Sequence, residues 1–188
     1  MNTKERSIEL AKKGQTGLVH IYCGDGKGKT TTGMGLCLRA AGSGLKVLIY
    51  QFMKDNRTSE RRVLEALDNV TFIDGLDREK FSFRLTSEEK AQRRAFYNSR
   101  LTEVTEKAVS EAYDVLFLDE AIYAIRAGLL DESLLTGFLG TKPAKLEVIL
   151  TGQKPGEKLL ALADYVSEIR KIRHPYDLGV PARPGIER

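Results

Sequence analysis

The sequence predicts an α/β protein: a three-layer, mostly parallel sheet flanked by helices. Short apolar runs recur at 18–23, 47–53, 70–73, 115–118, 146–150 and 166–172. Several are rich in Val, Ile and Leu without strict polar alternation, as strands buried on both faces are. Between them lie longer segments with helical spacing, and this alternation is the pattern of a parallel sheet covered by helices.

The length of 188 residues suits one domain with a sizeable core, since single domains commonly run to roughly 100–200 residues. We divide the chain into an N-terminal helical arm, 1–16, and a single domain, 17–188. Thirty basic residues stand against 26 acidic ones, a formal charge of +4. That excess is too small to argue for nucleic-acid binding, and no nucleic-acid partner is expected; it fits a mixed solvated surface or a basic pocket for a polyphosphate. The opening stretch, MNTKERSIELAKKGQTG, holds no continuous apolar segment, and no run in the chain is long enough to span a bilayer. The expectation is a cytoplasmic protein without membrane attachment. Cys23 and Cys37 match no metal or redox spacing and read as reduced thiols. With only His20 and His174 besides, a structural zinc site is not expected.

The first apolar run leads directly into Gly24-Asp25-Gly26-Lys27-Gly28-Lys29-Thr30-Thr31, and helical spacing continues to Ala41. Strand, glycine-rich turn and helix form the context of a phosphate-binding loop. Its glycines let backbone N–H groups approach anionic oxygens, and the helix N-terminus adds unpaired amides and a favourable dipole end. Lys29 would bridge phosphate oxygens and the Thr30 hydroxyl would sit on a magnesium ion. The strict pattern G-x-x-x-x-G-K-S/T is not met, because Cys23 stands where its first glycine belongs.

The longest helix is predicted from about Ser87 to Ala112. Thr86 and Glu89 make a capping box at its start, and Tyr97, Leu101, Val104 and Ala108 form one apolar stripe for the sheet. The run at 115–118 ends in Asp119-Glu120. Beside a phosphate loop, two carboxylates at a strand end are candidates for the metal side of the site. Asp119 is the better candidate for holding a magnesium-bound water, with Glu120 an outer ligand or a base. The last stretch, HPYDLGVPARPGIER, carries too many prolines for a regular element. It reads as a disordered tail or a docked loop. On these residues alone the protein is a nucleotide enzyme with Lys29, Thr30, Asp119 and Glu120 as its catalytic candidates, and phosphoryl transfer is the default chemistry.

Further segments resemble one family. Cys23-Gly24-Asp25-Gly26-Lys27-Gly28-Lys29-Thr30-Thr31 is similar to T-G-N-G-K-G-K-T-T, and Tyr50-Gln51-Phe52-Met53-Lys54 to V-Q-F-I-K. Leu118-Asp119-Glu120-Ala121-Ile122-Tyr123 is similar to L-D-E-x-x-Y, and Thr151-Gly152-Gln153 to T-G-R/Q. Ala163–Ile169 follows A-D-x-V-S/T-E-M/I, while His174-Pro175-Tyr176-Asp177-Leu178-Gly179 and Gly185-Ile186-Glu187 follow H-P-F/Y-D-x-G and G-I-E. In order and spacing these resemble the P-loop corrinoid adenosyltransferases, over roughly Gly17 to the end of the chain. Cys23 at the first glycine position is then an ordinary feature of the loop, at a place where threonine is common.

The resemblance implies a P-loop NTPase (RecA-like) fold. It also implies an enzyme that transfers the 5′-deoxyadenosyl group of ATP to the Co(I) centre of a reduced corrinoid, releasing triphosphate, with ATP reversed in the loop. Cobalt(I) needs no deprotonation, so the protein has to supply leaving-group stabilisation and alignment. Mg2+ or Mn2+ on Thr30, Asp119 and Glu120, an electron-donating reductase and a homodimer belong to the same expectation. So do Gln51, Gly152 and Gln153 at the triphosphate, beside the loop residues. Tyr123, His174 and Asp177 fall on the corrinoid side, and the terminal motif in the active-site region.

Many members carry F-T-W after the third strand. Here Lys80-Phe81-Ser82-Phe83 stands in its place, and the chain has no tryptophan. Phe81 and Phe83 either exclude water and the lower axial ligand from cobalt or are core residues of a loop. Two other functions compete: a conventional P-loop kinase or ATPase, and a non-catalytic nucleotide- or corrinoid-binding protein. The chain lacks the D-x-H-x-x-G pattern of cobalt-ligating carriers.

Overall fold

The computed structural model describes residues 17–77, 82 and 85–187. The expected helical arm, 1–16, and the pair Phe81 and Phe83 lie outside the described residues.

Six strands form one sheet: β1 (Val19–Cys23), β2 (Val47–Gln51), β3 (Val70–Ile73), β4 (Val115–Asp119), β5 (Glu147–Thr151) and β6 (Tyr165–Glu168). They are ordered β3-β2-β4-β5-β1-β6, and every pair is parallel. The crossovers carry α1 (Lys29–Gly42), α2 (Arg61–Leu64), α3 (Ser87–Ser110), α4 (Ala121–Arg126), α5 (Glu132–Thr141) and α6 (Glu157–Leu162), and a 3-10 turn follows at Pro175–Leu178. In a wholly parallel sheet all carboxyl ends open on one edge, where ligands of such folds bind.

The inner apolar runs become strands because they send alternate side chains into two cores. Ile21, Leu48, Tyr50, Leu116, Leu118, Val148 and Leu150 pack with Tyr97, Leu101, Val104 and Ala108 of α3. Val47, Ile49, Val115, Phe117 and Ile149 pack with Met34, Cys37, Ala40 and Ala41 of α1 on the other face. β2 and β4 are buried at every position, which is why their sequences lack polar alternation. Each fully buried aliphatic side chain contributes roughly 1.5–3 kcal/mol through area removed from water.

The predicted capping box is present at α3: the Thr86 hydroxyl accepts from the Glu89 N–H at 3.2 Å, and the Glu89 carboxylate accepts from the Thr86 N–H at 2.9 Å. Two expectations are corrected. The second run leaves the sheet after Gln51, because Met53 turns into the left-handed region at φ 55°. The last run is a strand only over Tyr165–Glu168 and is exposed at all four positions. An outermost strand has one neighbour and is not covered on both faces, so apolar content alone misstates its burial.

α1 lies close against β4 at Gly33, where a Cβ would stand 2.3 Å from the Cζ of the fully buried Phe117 ring. Gly33→Ala therefore overpacks this contact, at a cost of about 1–3 kcal/mol. That outweighs the gain in helix propensity of at most about 1 kcal/mol. A lower urea midpoint is expected; an unchanged or higher one would show that the helix can move away from the sheet at no cost.

Candidate active site

The loop after β1 is shaped by what crosses it. The chain leaving β6 bonds back to the strand, Ile169 N–H donating to the Cys23 carbonyl at 2.8 Å, and the Ile169 carbonyl accepts from the Gly26 N–H at 2.8 Å. A Cβ on Gly24, which has φ 111°, would lie 2.3 Å from the Ile169 oxygen. Side chains are thus excluded where one backbone passes over another. Gly28 is different: its φ of 122° also demands glycine, but nothing lies within 4 Å of its Cβ position. It opens α1 toward free space, and Lys29 and Thr30 begin the helix. The Lys29 ammonium, nearly buried, folds back to donate to the Gly26 carbonyl at 2.8 Å. Asp25 accepts from the Lys171 N–H at 2.9 Å, and that bond holds its carboxyl below the usual range.

Asp119 ends β4 with no exposure at all. Its Oδ1 accepts from the Thr151 hydroxyl at 2.6 Å and the Thr30 hydroxyl at 3.0 Å. Its Oδ2 accepts from Gln51 Nε2 at 2.9 Å and from the Lys54 ammonium at 2.5 Å. Lys54 also donates to Thr30 Oγ1 at 2.8 Å. Burial opposes ionisation of Asp119, but the Lys54 charge and the bonds from Lys54, Thr151 and Gln51 hold the carboxyl below its ordinary range. Register explains the gathering: Gln51 pairs with Asp119, and Leu118 with Leu150, so Thr151 ends β5 beside Asp119.

Glu120 follows in the left-handed region, φ 58° and ψ 14°, with its N–H donating to Thr151 Oγ1 at 2.7 Å. This conformation is uncommon for a residue with a Cβ and is held here by that bond. Burial, and then the adjacent Asp119 charge, push the Glu120 carboxyl above its usual range.

Two clefts flank the loop. One, of about 280 Å³, lies between Asp25–Lys29 and the C-terminal segment, with His174, Tyr176 and Glu187 on its wall. The other, of about 440 Å³, is bordered by Gly24, Gln153, Glu168 and Ile172. The C-terminal stretch is therefore docked beside the loop, with one short 3-10 turn capped by His174 Nδ1 accepting from the Tyr176 N–H at 3.1 Å. The structure brings Thr30, Asp119 and Gln51 to one point, with Glu120 following in the chain, while the Lys29 ammonium is held on the Gly26 carbonyl. Lys27 and Thr31 are exposed beside it. Gly152 packs its Cα against the Tyr123 backbone. Asp177 lies apart from both clefts, ion-paired with Lys171 at 3.0 Å.

Lys54 and Thr151 stand in the motifs Tyr50–Lys54 and Thr151–Gln153 without a role evident from sequence, yet both bond to Asp119. Their signal was positional, since each lies at or just beyond the carboxyl end of a parallel strand. Both cysteines are free and buried, and burial pushes both thiols up. Among the described residues no three His, Cys, Asp or Glu side chains gather into a metal cage, and no helix is long and apolar enough to cross a membrane.

An apolar parallel strand, a glycine loop, a lysine and threonine at a helix start, and a carboxylate two strands away define a P-loop nucleotide-binding protein. The family model for ATP:corrinoid adenosyltransferase BtuR/CobO/CobP matches residues 15–188. A corrinoid adenosyltransferase of Escherichia coli K12 is 32% identical over 92% of this chain and 86% of its own. One from Sinorhizobium is 30% identical over 96% of this chain and 84% of its own. Among solved structures, a KaiC-like protein of Pyrococcus horikoshii aligns at 16% identity with a TM-score of 0.47, covering 81% of this chain and 71% of that one. The chain belongs to the ATP:corrinoid adenosyltransferase family.

Because burial pushes its carboxyl up, Glu120 links stability to pH. The native protein binds this proton more tightly than the unfolded chain, so the stabilisation is complete below the ordinary value of 4.5. It is lost as pH rises through the raised value. Glu120→Gln, in chelator and without nucleotide, is expected to lose less thermal stability than the parent as pH rises above the ordinary value of 4.5. Parallel melting-temperature profiles would contradict the assignment.

Proposed function

We propose that the protein transfers the 5′-deoxyadenosyl group of ATP to the Co(I) centre of a reduced corrinoid and releases inorganic triphosphate. The observation that carries this is the phosphate loop, set in a chain whose family match extends over residues 15–188. The cobalt electron pair forms the Co–C5′ bond as the C5′–O bond breaks, and the leaving pair stays on the triphosphate. Cobalt ends as Co(III), and no proton need be removed from the nucleophile.

The protein's part is to receive charge and to align. Loop amides at 24, 25, 27 and 28, the start of α1, and the Lys27 and Lys29 ammoniums supply positive ends for the departing triphosphate, while the Gly26 N–H stays on the Ile169 carbonyl. Lys29 reaches it by releasing the Gly26 carbonyl. Thr31 in the first turn of α1, and Gln51, Gly152 and Gln153 at the ends of β2 and β5, complete the nucleotide side. His174 shares its cleft with Lys27 and Lys29, which supports a place for it between the two substrates. Tyr123, Asp177, Phe81 and Phe83 complete the corrinoid side.

A divalent ion also fits the site. The Lys54 ammonium already bridges Thr30 Oγ1 and Asp119 Oδ2, so a cation is accommodated between those two atoms. Thr30 and Asp119, with Glu120 nearby, would hold Mg2+ or Mn2+, whose other ligands come from phosphate and water, as is usual for magnesium. The ion would supply neutralisation of triphosphate charge. The same reading includes a cytoplasmic homodimer served by an electron-donating reductase; these follow the habit of the family.

The test is product analysis with ATP, a divalent ion and chemically reduced corrinoid. An adenosylated corrinoid and intact triphosphate are expected. Phosphate or pyrophosphate without a Co–C bond would overturn the proposal. Lys29→Ala is expected to lose about 10²–10³-fold in rate, the scale of deleting one donor to a developing anion.

A further inference from the structure

Lys54 lies between the two atoms assigned to the metal, 2.8 Å from Thr30 Oγ1 and 2.5 Å from Asp119 Oδ2. Two independent features hold it there. The backbone turns at Met53, φ 55°, where the Met53 N–H donates to the Tyr97 hydroxyl at 3.0 Å, so the chain leaving β2 bends back toward β4. Gln51 joins the same carboxylate and accepts from the Thr58 hydroxyl at 2.8 Å, so both ends of the 52–58 loop are anchored to the site.

Asp119 is wholly buried, and a carboxylate without a counter-charge is strongly unfavourable there. Lys54 supplies that counter-charge. An ammonium and a divalent ion cannot share the space between the same two oxygens. Lys54 has a route out, however: its side chain is 24% exposed, on a flexible four-carbon stem.

We propose that Lys54 is a tethered counter-cation that occupies the metal position of the nucleotide-free protein and is exchanged for the divalent ion when a metal–nucleotide complex binds. The displaced ammonium then meets the polyphosphate, whose negative charge replaces that of Asp119. A free metal ion offers no such second partner, so it has to expel Lys54 into solvent. The metal thus enters with its nucleotide, and Lys54 acts as a positioning residue that enforces this order. The inference rests on the reading of Thr30 and Asp119 as the metal position and on nothing in the corrinoid chemistry.

The experiment is Mn2+ binding to nucleotide-free protein, followed by electron paramagnetic resonance of the free ion. The parent is expected to bind Mn2+ weakly, and Lys54→Met at least about tenfold more tightly, the effect of removing one competing charge. Adding Asp119→Asn to Lys54→Met should abolish the gain, and Lys54→Arg should bind as weakly as the parent. If Lys54→Met does not fold without metal, Lys54→Gln, which can still donate to Asp119, carries the same comparison. Equal Mn2+ affinity in the parent and the neutral variants would overturn the exchange, as would a gain that survives Asp119→Asn. Failure of the product assay would instead remove the proposed reaction and leave this result standing.

Discussion

The Asp119 carboxylate is the constraint on which the site depends. A fully buried charge must be met by donors, and here they come from four separate parts of the chain: Gln51 from β2, Lys54 from the loop beyond it, Thr30 from α1 and Thr151 from β5. None of these bonds can form until the sheet has its order, because β4 has to lie between β2 and β5. The Asp119 end of the site is therefore assembled only as the sheet forms. The loss of any one donor leaves a buried acceptor short and costs more than an ordinary surface hydrogen bond.

The opposite pole rests on backbone rather than charge. Ile169 passes over Gly24 and Gly26 so closely that only glycine fits beneath it. This crossing shapes the phosphate loop, and the C-terminal segment that follows it borders a cleft beside the loop. Gly26, on one side of this crossing, also lines the cleft that holds His174. Lys29 rests on a loop carbonyl and Lys54 on a carboxylate, so two cations that polyphosphate chemistry would use are already hydrogen-bonded within the fold, and only Lys54 is paired with a charge. A ligand has to replace these internal bonds, and one carrying several negative charges and its own metal is suited to do so.

Much of the fold was legible in the sequence. Runs such as Val47–Tyr50 and Val115–Leu118 are apolar at successive positions because helices cover both faces, so composition and burial agree. Thr86 and Glu89 mark the start of α3 because a capping box is a contact within one turn. β6 was misjudged in extent and burial, since Val166 and Ile172 look like core residues unless the strand is known to lie at the sheet edge. Of the candidate site, the loop residues and Asp119 could be read from local pattern, whereas Lys54 and Thr151 acquire their roles only from neighbours far away in sequence.

By itself the sequence determined the strand–helix alternation, the phosphate loop and, through motifs in a fixed order, the family. Those properties are written in residues a few positions apart, where backbone geometry and periodicity act directly. Only the tertiary structure decided which side chains meet Asp119, which strand remains exposed, and that a lysine holds the place proposed for a metal. Those contacts depend on the order and register of strands from distant parts of the chain. No local spacing encodes that Gln51, Asp119 and Thr151 end three adjacent strands at the same edge.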